Sequence, residues 1–123
     1  MQKKRILIVD DEPDLVGTLQ MNLELEDFEC LVAHDGNRGF ERAQHEKPDL
    51  IILDLMLPGM DGYKMCRLLK FDERYKKIPI IMLTARVQSE DRRLGEETGA
   101  DHYMTKPFSM DELVARIKDL LAV

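Results

Sequence analysis

No apolar run in this 123-residue chain approaches the length needed to cross a bilayer, and Met1 to Lys4 carries no apolar signal segment. A soluble, cytoplasmic protein with no membrane partner is the expectation. Cysteine is scarce. Cys30 and Cys66 stand too far apart for a CxxC motif and fall at apolar positions of predicted elements, so two buried thiols are expected rather than a redox pair. Positive charge is in deficit, with 18 Lys and Arg against 24 Asp and Glu and a formal net charge of -6. That balance argues against direct nucleic-acid binding, which needs clustered Lys and Arg facing the phosphates. No glycine-rich loop ends in Lys, which excludes a P-loop nucleotide switch. No internal repeat or low-complexity stretch is present. What is there is 44% hydrophobic and 34% charged residues, a globular composition for one domain over 1-123, long enough to bury a layered core unaided.

The chain is organised around Leu50 to Gly62, LIILDLMLPGMDG, an apolar run that stops at Asp54 and breaks into a loop shaped by Pro58, Gly59 and Gly62. Leu50 to Leu53 suit a strand buried on both faces, as in a parallel sheet covered by helices. Asp54 then lies at the carboxyl end of that strand, where such sheets bind and react. Three further runs read as strands with the same kind of ending: Arg5 to Val9 before Asp10, Asp11 and Glu12; Ile80 to Leu83 before Thr84 and Ala85; His102 to Met104 before Thr105, Lys106 and Pro107. Phe28 to Ala33 is the remaining strand. Pro13 opens a helix to about Glu26 with Leu15, Val16, Leu19 and Leu23 on its buried face. A short helix to Glu46 buries Phe40 and Ala43, and one from Gly62 to about Phe71 buries Cys66 and Leu69, with Met65 and Leu68 flanking. The polar run Asp72 to Lys77 reads as a loop. Gln88 to Thr98 reads as a charged helix anchored mainly by Leu94, closed by Gly99 in a left-handed cap. Ser109 and Glu112 form a capping box for a last helix whose buried stripe is Leu113, Val114, Ile117, Leu120 and Leu121.

Five strands alternating with five helices make a doubly wound α/β fold, and right-handed crossovers bring all the strand ends to one edge. Asp10, Asp11, Asp54, Thr84 and Lys106 meet there. Close carboxylates repel one another by roughly 4 kcal/mol per pair at an effective dielectric near 20, unless something positive sits among them. With only oxygen ligands and no His or Cys on offer, the cation of choice is Mg²⁺ or Mn²⁺ rather than zinc. Lys106 adds a second positive charge, and the Thr84 hydroxyl and Ala85 amide add neutral donors. Together they describe a cradle for a phosphoryl group, with Asp54 placed as the nucleophile that would become an aspartyl phosphate.

IVDDE at Ile8 to Glu12, ILDLMLPGMDG at Ile52 to Gly62, MLTAR at Met82 to Arg86 and GADHYMTKPF at Gly99 to Phe108 resemble the receiver domain of two-component response regulators, in order and spacing, over essentially the whole chain. The resemblance implies a flavodoxin-like parallel sheet of order 2-1-3-4-5 and phosphorylation of Asp54 by a histidine kinase or phosphotransfer protein. It implies that Asp11, Asp54 and the Met56 carbonyl bind Mg²⁺ directly, with Asp10 acting through water. Lys106 and Ala85 would contact the phosphoryl group, the peptide bond to Pro107 would be cis, and Thr84 and Tyr103 would be the switch pair. Such a protein catalyses only its own phosphotransfer and slow self-dephosphorylation, and passes its signal to an effector through the face of the last two helices.

The wording is closest to receivers of winged-helix transcription factors, yet the output face departs from them. Arg93 and Glu96 stand where apolar residues are usual and His102 where an Asp is usual, while Arg92, Glu112, Ala115 and Arg116 fit. A monomer or weak dimer is therefore expected, and residues 1-123 are expected to hold the receiver domain alone, with no output domain among them. Two other families fit less well. A flavodoxin-like FMN protein would need hydroxyls and amides where Asp10, Asp11, Glu12 and Asp14 would repel a phosphate. A haloacid-dehalogenase-type aspartyl-phosphate phosphatase, the alternative reading, needs a second acid two residues beyond the nucleophile, and Met56 stands there.

Overall fold

A computed structural model describes residues 2–85 and 99–123. Strands β1 (Arg5–Val9), β2 (Glu29–Ala33), β3 (Leu50–Asp54), β4 (Ile80–Thr84) and β5 (His102–Thr105) form one sheet in the order β2-β1-β3-β4-β5, and every pairing is parallel. Among the described residues four helices flank it: α1 (Pro13–Leu25), α2 (Gly36–Glu46), α3 (Gly62–Lys70) and α4 (Met110–Leu121). The expected helix over Gln88 to Thr98, with Leu94, and the residues Arg86, Arg92, Arg93 and Glu96 lie outside the described residues.

Strand alternation sorts the core into two layers. Ile6, Ile8, Leu50, Ile52, Ile81, Leu83 and Met104 pack with Val16, Leu19 and Leu23 of α1 and Leu113 and Ile117 of α4. Leu7, Val9, Ile51, Leu53, Ile80 and Met82 pack with Ala43 of α2 and Met65, Cys66 and Leu69 of α3. Each such side chain contributes roughly 1.5–3 kcal/mol on full burial. The β3 run is buried throughout because it lies between two strands and under helices on both sides.

Several expectations need correction. Phe40 is only partly buried, because α2 turns Gly39 and Ala43 to the sheet instead, with Gly36 against the loop at Met60. Leu68 is exposed on the outer side of α3. Val114, Leu120 and Leu121 rim the core that Leu113 and Ile117 enter. Tyr75, inside the polar run, is buried against the α3 layer. Cys66 is buried, but Cys30 lies on an edge strand and is half-buried, its thiol pushed up to about 11 by that burial and by Glu24 and Glu29. Two expectations need no correction: the Ser109 hydroxyl caps the last helix by accepting from the Glu112 amide at 3.3 Å, and Gly99 takes a left-handed φ of +84.

Candidate functional site

Register places the polar residues. Val9 pairs with Leu53, so Asp10, the next residue, comes level with Asp54, and Thr84 pairs with Thr105 just before Lys106. Asp10 and Asp54 are both buried, on the strand phase that faces α1 and α4; Thr84 is buried on the other phase, with Tyr103. Lys106 reaches back across the strand ends. Its Nζ lies 2.8 Å from Glu12 Oε1, 3.3 Å from Asp10 Oδ2 and 3.6 Å from Asp54 Oδ2. Two backbone amides complete the carboxylates: Glu12 N donates to Asp10 Oδ1 at 2.9 Å and Met56 N to Asp54 Oδ1 at 3.3 Å. The Lys106 amide donates to the Thr84 carbonyl at 2.7 Å, and the Lys106–Pro107 peptide bond is cis.

Charge explains the pKa directions. Burial, first, and then Asp10 push the Asp54 carboxyl above the usual carboxylate range; Lys106 and the Met56 amide pull the other way, and Asp11 adds to the rise. Burial alone would lower the Lys106 ammonium, but hydrogen bonds to Glu12 and Asp10 and the Asp54 charge raise it above its ordinary value. Asp10, Glu12 and Asp54 each bring a carboxylate oxygen within 4.8 Å of the others. Three carboxylates against one ammonium leave an excess of negative charge, held on oxygen alone. That donor set fits a hard divalent cation.

The structure thus brings together Asp10, Asp54 and Lys106, with Thr84 on the neighbouring strand end. Asp11 is exposed and outside the cluster of carboxylate oxygens, although near enough to act on the Asp54 charge. Glu12 takes its place in that cluster. Sequence reading did not single out Glu12 as a site residue; the available signal was its spacing two residues after Asp10, which repeats the same side of an extended chain. Ala85 is exposed beside Thr84, Met56 is 62% exposed at the rim, and Tyr103 is partly buried against the α2 and α3 layer.

Residues 6–118 match the response regulator receiver domain family. The chain belongs to that family. This receiver domain is 48% identical over 118 residues to the alkaline phosphatase synthesis transcriptional regulatory protein PhoP of Bacillus subtilis, covering 96% of this chain and 48% of that protein. It is 46% identical over 117 residues to the DNA-binding dual master transcriptional regulator RpaA of Synechocystis, covering 95% and 48%. The receiver domain spans about half the length of these curated relatives. Its backbone matches the crystal structure of the BeF3-activated N-terminal receiver domain of Klebsiella pneumoniae RstA with a TM-score of 0.87 at 33% identity, over 98% of this chain and 100% of that one. The receiver domain is a phosphorylation-activated switch of two-component signalling rather than a metabolic enzyme, and the haloacid-dehalogenase alternative has no support.

Proposed function

We propose that Asp54 is the phosphoacceptor, charged by a sensor histidine kinase, a phosphotransfer protein or a small phosphodonor in a Mg²⁺-dependent reaction. The observation that carries this is a buried carboxylate at the end of the central strand, with an ammonium 3.6 Å away and two further carboxylates beside it. An Asp54 oxygen attacks phosphorus, the bond from phosphorus to the donor breaks, and the bonding pair leaves with the donor. Lys106 neutralises charge that gathers on the phosphoryl oxygens, and the Thr84 hydroxyl and Ala85 amide donate to them. Asp11, Asp54 and the Met56 carbonyl would hold Mg²⁺, with Asp10 acting through water; Mn²⁺ suits the same oxygens. When bound, the cation supplies charge neutralisation and orientation.

In this reading Thr84 and Tyr103 form the switch pair, the phosphoryl group is lost slowly by self-dephosphorylation, and residues 1–123 act as one cytoplasmic phosphoacceptor unit. A downstream protein or domain is engaged through the face that includes β5 and α4. No described helix is long and apolar enough to cross a membrane. Incubation with acetyl phosphate and Mg²⁺, followed by intact mass, tests the acceptor. One phosphoryl mass is expected on the wild type and none on Asp54→Asn; full labelling of that variant would place the acceptor elsewhere.

A further inference from the structure

The turn between β2 and α2, Ala33 to Gly36, touches both halves of the acidic site from outside it. On the Asp10 side, the Ala33 carbonyl accepts from the Asp10 amide at 3.1 Å, and His34 Nδ1 lies 3.3 Å from the Asp10 carbonyl. On the Asp54 side the contact is Gly36, whose amide donates to the Pro58 carbonyl at 3.2 Å. A first-turn helix amide has no acceptor within its own helix, so the loop after β3 supplies one. A Cβ placed on Gly36 would lie 1.6 Å from the Met60 carbonyl oxygen and 2.6 Å from its carbon. Backbone cannot swing aside as a flexible side chain can; only displacement of the loop or of α2 relieves the clash. The same loop carries Met56, whose amide holds Asp54, and it ends at Gly62, where a Cβ would lie 2.4 Å from the Asp54 carbonyl oxygen.

We propose that Gly36 is a positioning residue for phosphotransfer: by letting the start of α2 close on Met60, it fixes the loop that sets the Met56 backbone beside Asp54. The inference rests on the reading of Asp54 and Met56 given above. Gly36 acts only through the loop. Gly39 provides an internal control, because its Cβ would be crowded too, at 2.6 Å from Val9 Cγ1 and 3.3 Å from Met65 Sδ, but by core side chains and not by the loop.

The test compares wild type, Gly36→Ala, Gly39→Ala and Asp54→Asn by Mg²⁺ titration followed on backbone amides, by the rate of labelling with acetyl phosphate, and by melting temperature. Gly36→Ala is expected to bind Mg²⁺ about tenfold more weakly or worse, the scale on which loss of a supporting contact acts, and to label correspondingly slowly. Gly39→Ala is expected to melt lower yet hold Mg²⁺ within about twofold of wild type, since it presses on the core side chains of Val9 and Met65, which can shift, and not on the backbone of the loop that carries Met56. Should Gly36→Ala fail to fold, Gly59→Ala takes its place with the same expectation: Gly59 is exposed at φ +75, a left-handed conformation that an L side chain adopts only with strain, so the substitution disturbs the loop without entering the core. Wild-type affinity in the loop variant, or an equal loss in Gly39→Ala, overturns the proposal. Tight Mg²⁺ binding and full labelling in Asp54→Asn would instead overturn the underlying site reading, a separable result.

Discussion

Because burial and Asp10 disfavour the charge on Asp54 more than Lys106 and the Met56 amide favour it, the cation-free domain holds that carboxylate less readily ionised than the unfolded chain does. The sign follows from linkage. A raised carboxyl pKa gives stability that is fully present below the unfolded value of about 3.9 and is lost as pH rises through the folded one, about 1.4 kcal/mol for each tenfold change in the ionisation constant. In EDTA at pH 7, Asp54→Asn should therefore melt above wild type, and the gap should shrink as pH falls toward 4; added Mg²⁺ should raise wild type only. A variant that melts below wild type at pH 7 in EDTA would show that the Lys106 pairing outweighs burial. A second comparison separates two carboxylates. Glu12 is exposed and committed to Lys106 at 2.8 Å, whereas Asp11 faces solvent with no ion pair among the described contacts. Asp11→Asn should cost about tenfold or more in Mg²⁺ affinity and slow labelling, and Glu12→Gln markedly less; calorimetric titration showing the reverse order would make Glu12 the ligand. Asp10, Asp54 and Lys106 were legible because each directly follows or ends an apolar strand. Glu12 was less so, since its one trace is the two-residue spacing after Asp10, and a long, exposed side chain reaches its partner by rotamer.

At the scale of elements, strand positions are legible to within a residue where both faces are buried, as in β3 and β4, because an unbroken apolar run admits few other readings. Helix interiors are less so. The α2 pattern suggests Phe40 as an anchor, yet glycines at 36 and 39 set how closely the helix approaches, and closeness of backbone is not written in hydrophobicity. Tyr75 shows the converse, an aromatic buried from within a run of charge. Glycine in α1 serves neither purpose. Gly17 sits in the helix interior, exposed, and a Cβ there would meet nothing within 4 Å. Gly17→Ala should stabilise the fold by roughly 0.5–1 kcal/mol, through the lower entropy of the unfolded chain and better helix propensity. Thermal unfolding should show a rise of a few degrees with Mg²⁺ affinity unchanged; a fall would mean that the open space at α1 is needed.

For the whole molecule, the face that includes β5 and α4 decides how the signal leaves. The expectation of a monomer or weak dimer rests partly on Arg93 and Glu96, outside the described residues, and partly on His102, which is described. His102 lies on β5, where burial, first, and then the Arg116 charge hold its imidazole below the usual range, with Glu112 opposing. An acid at that position would have faced Arg116 with opposite charge; an imidazole that resists protonation does not. Within the chain, Arg116 Nη1 lies 3.4 Å from Asp119 Oδ2, while its buried Nε has no hydrogen-bond partner among the described residues. A symmetric interface would bury such groups further, and charges buried without good partners cost more than a few apolar contacts around Ala115 can return. One arrangement could rescue it, with Arg93 of one copy meeting Glu96 of the other across a two-fold axis. The expected outcome is a sedimentation coefficient that stays monomeric at low micromolar protein when beryllofluoride and Mg²⁺ are added. His102→Asp, which restores the opposite charge beside Arg116, should then shift the activated domain toward dimer. A stable wild-type dimer under those conditions would defeat this reading and align the output of the domain with that of transcriptional regulators.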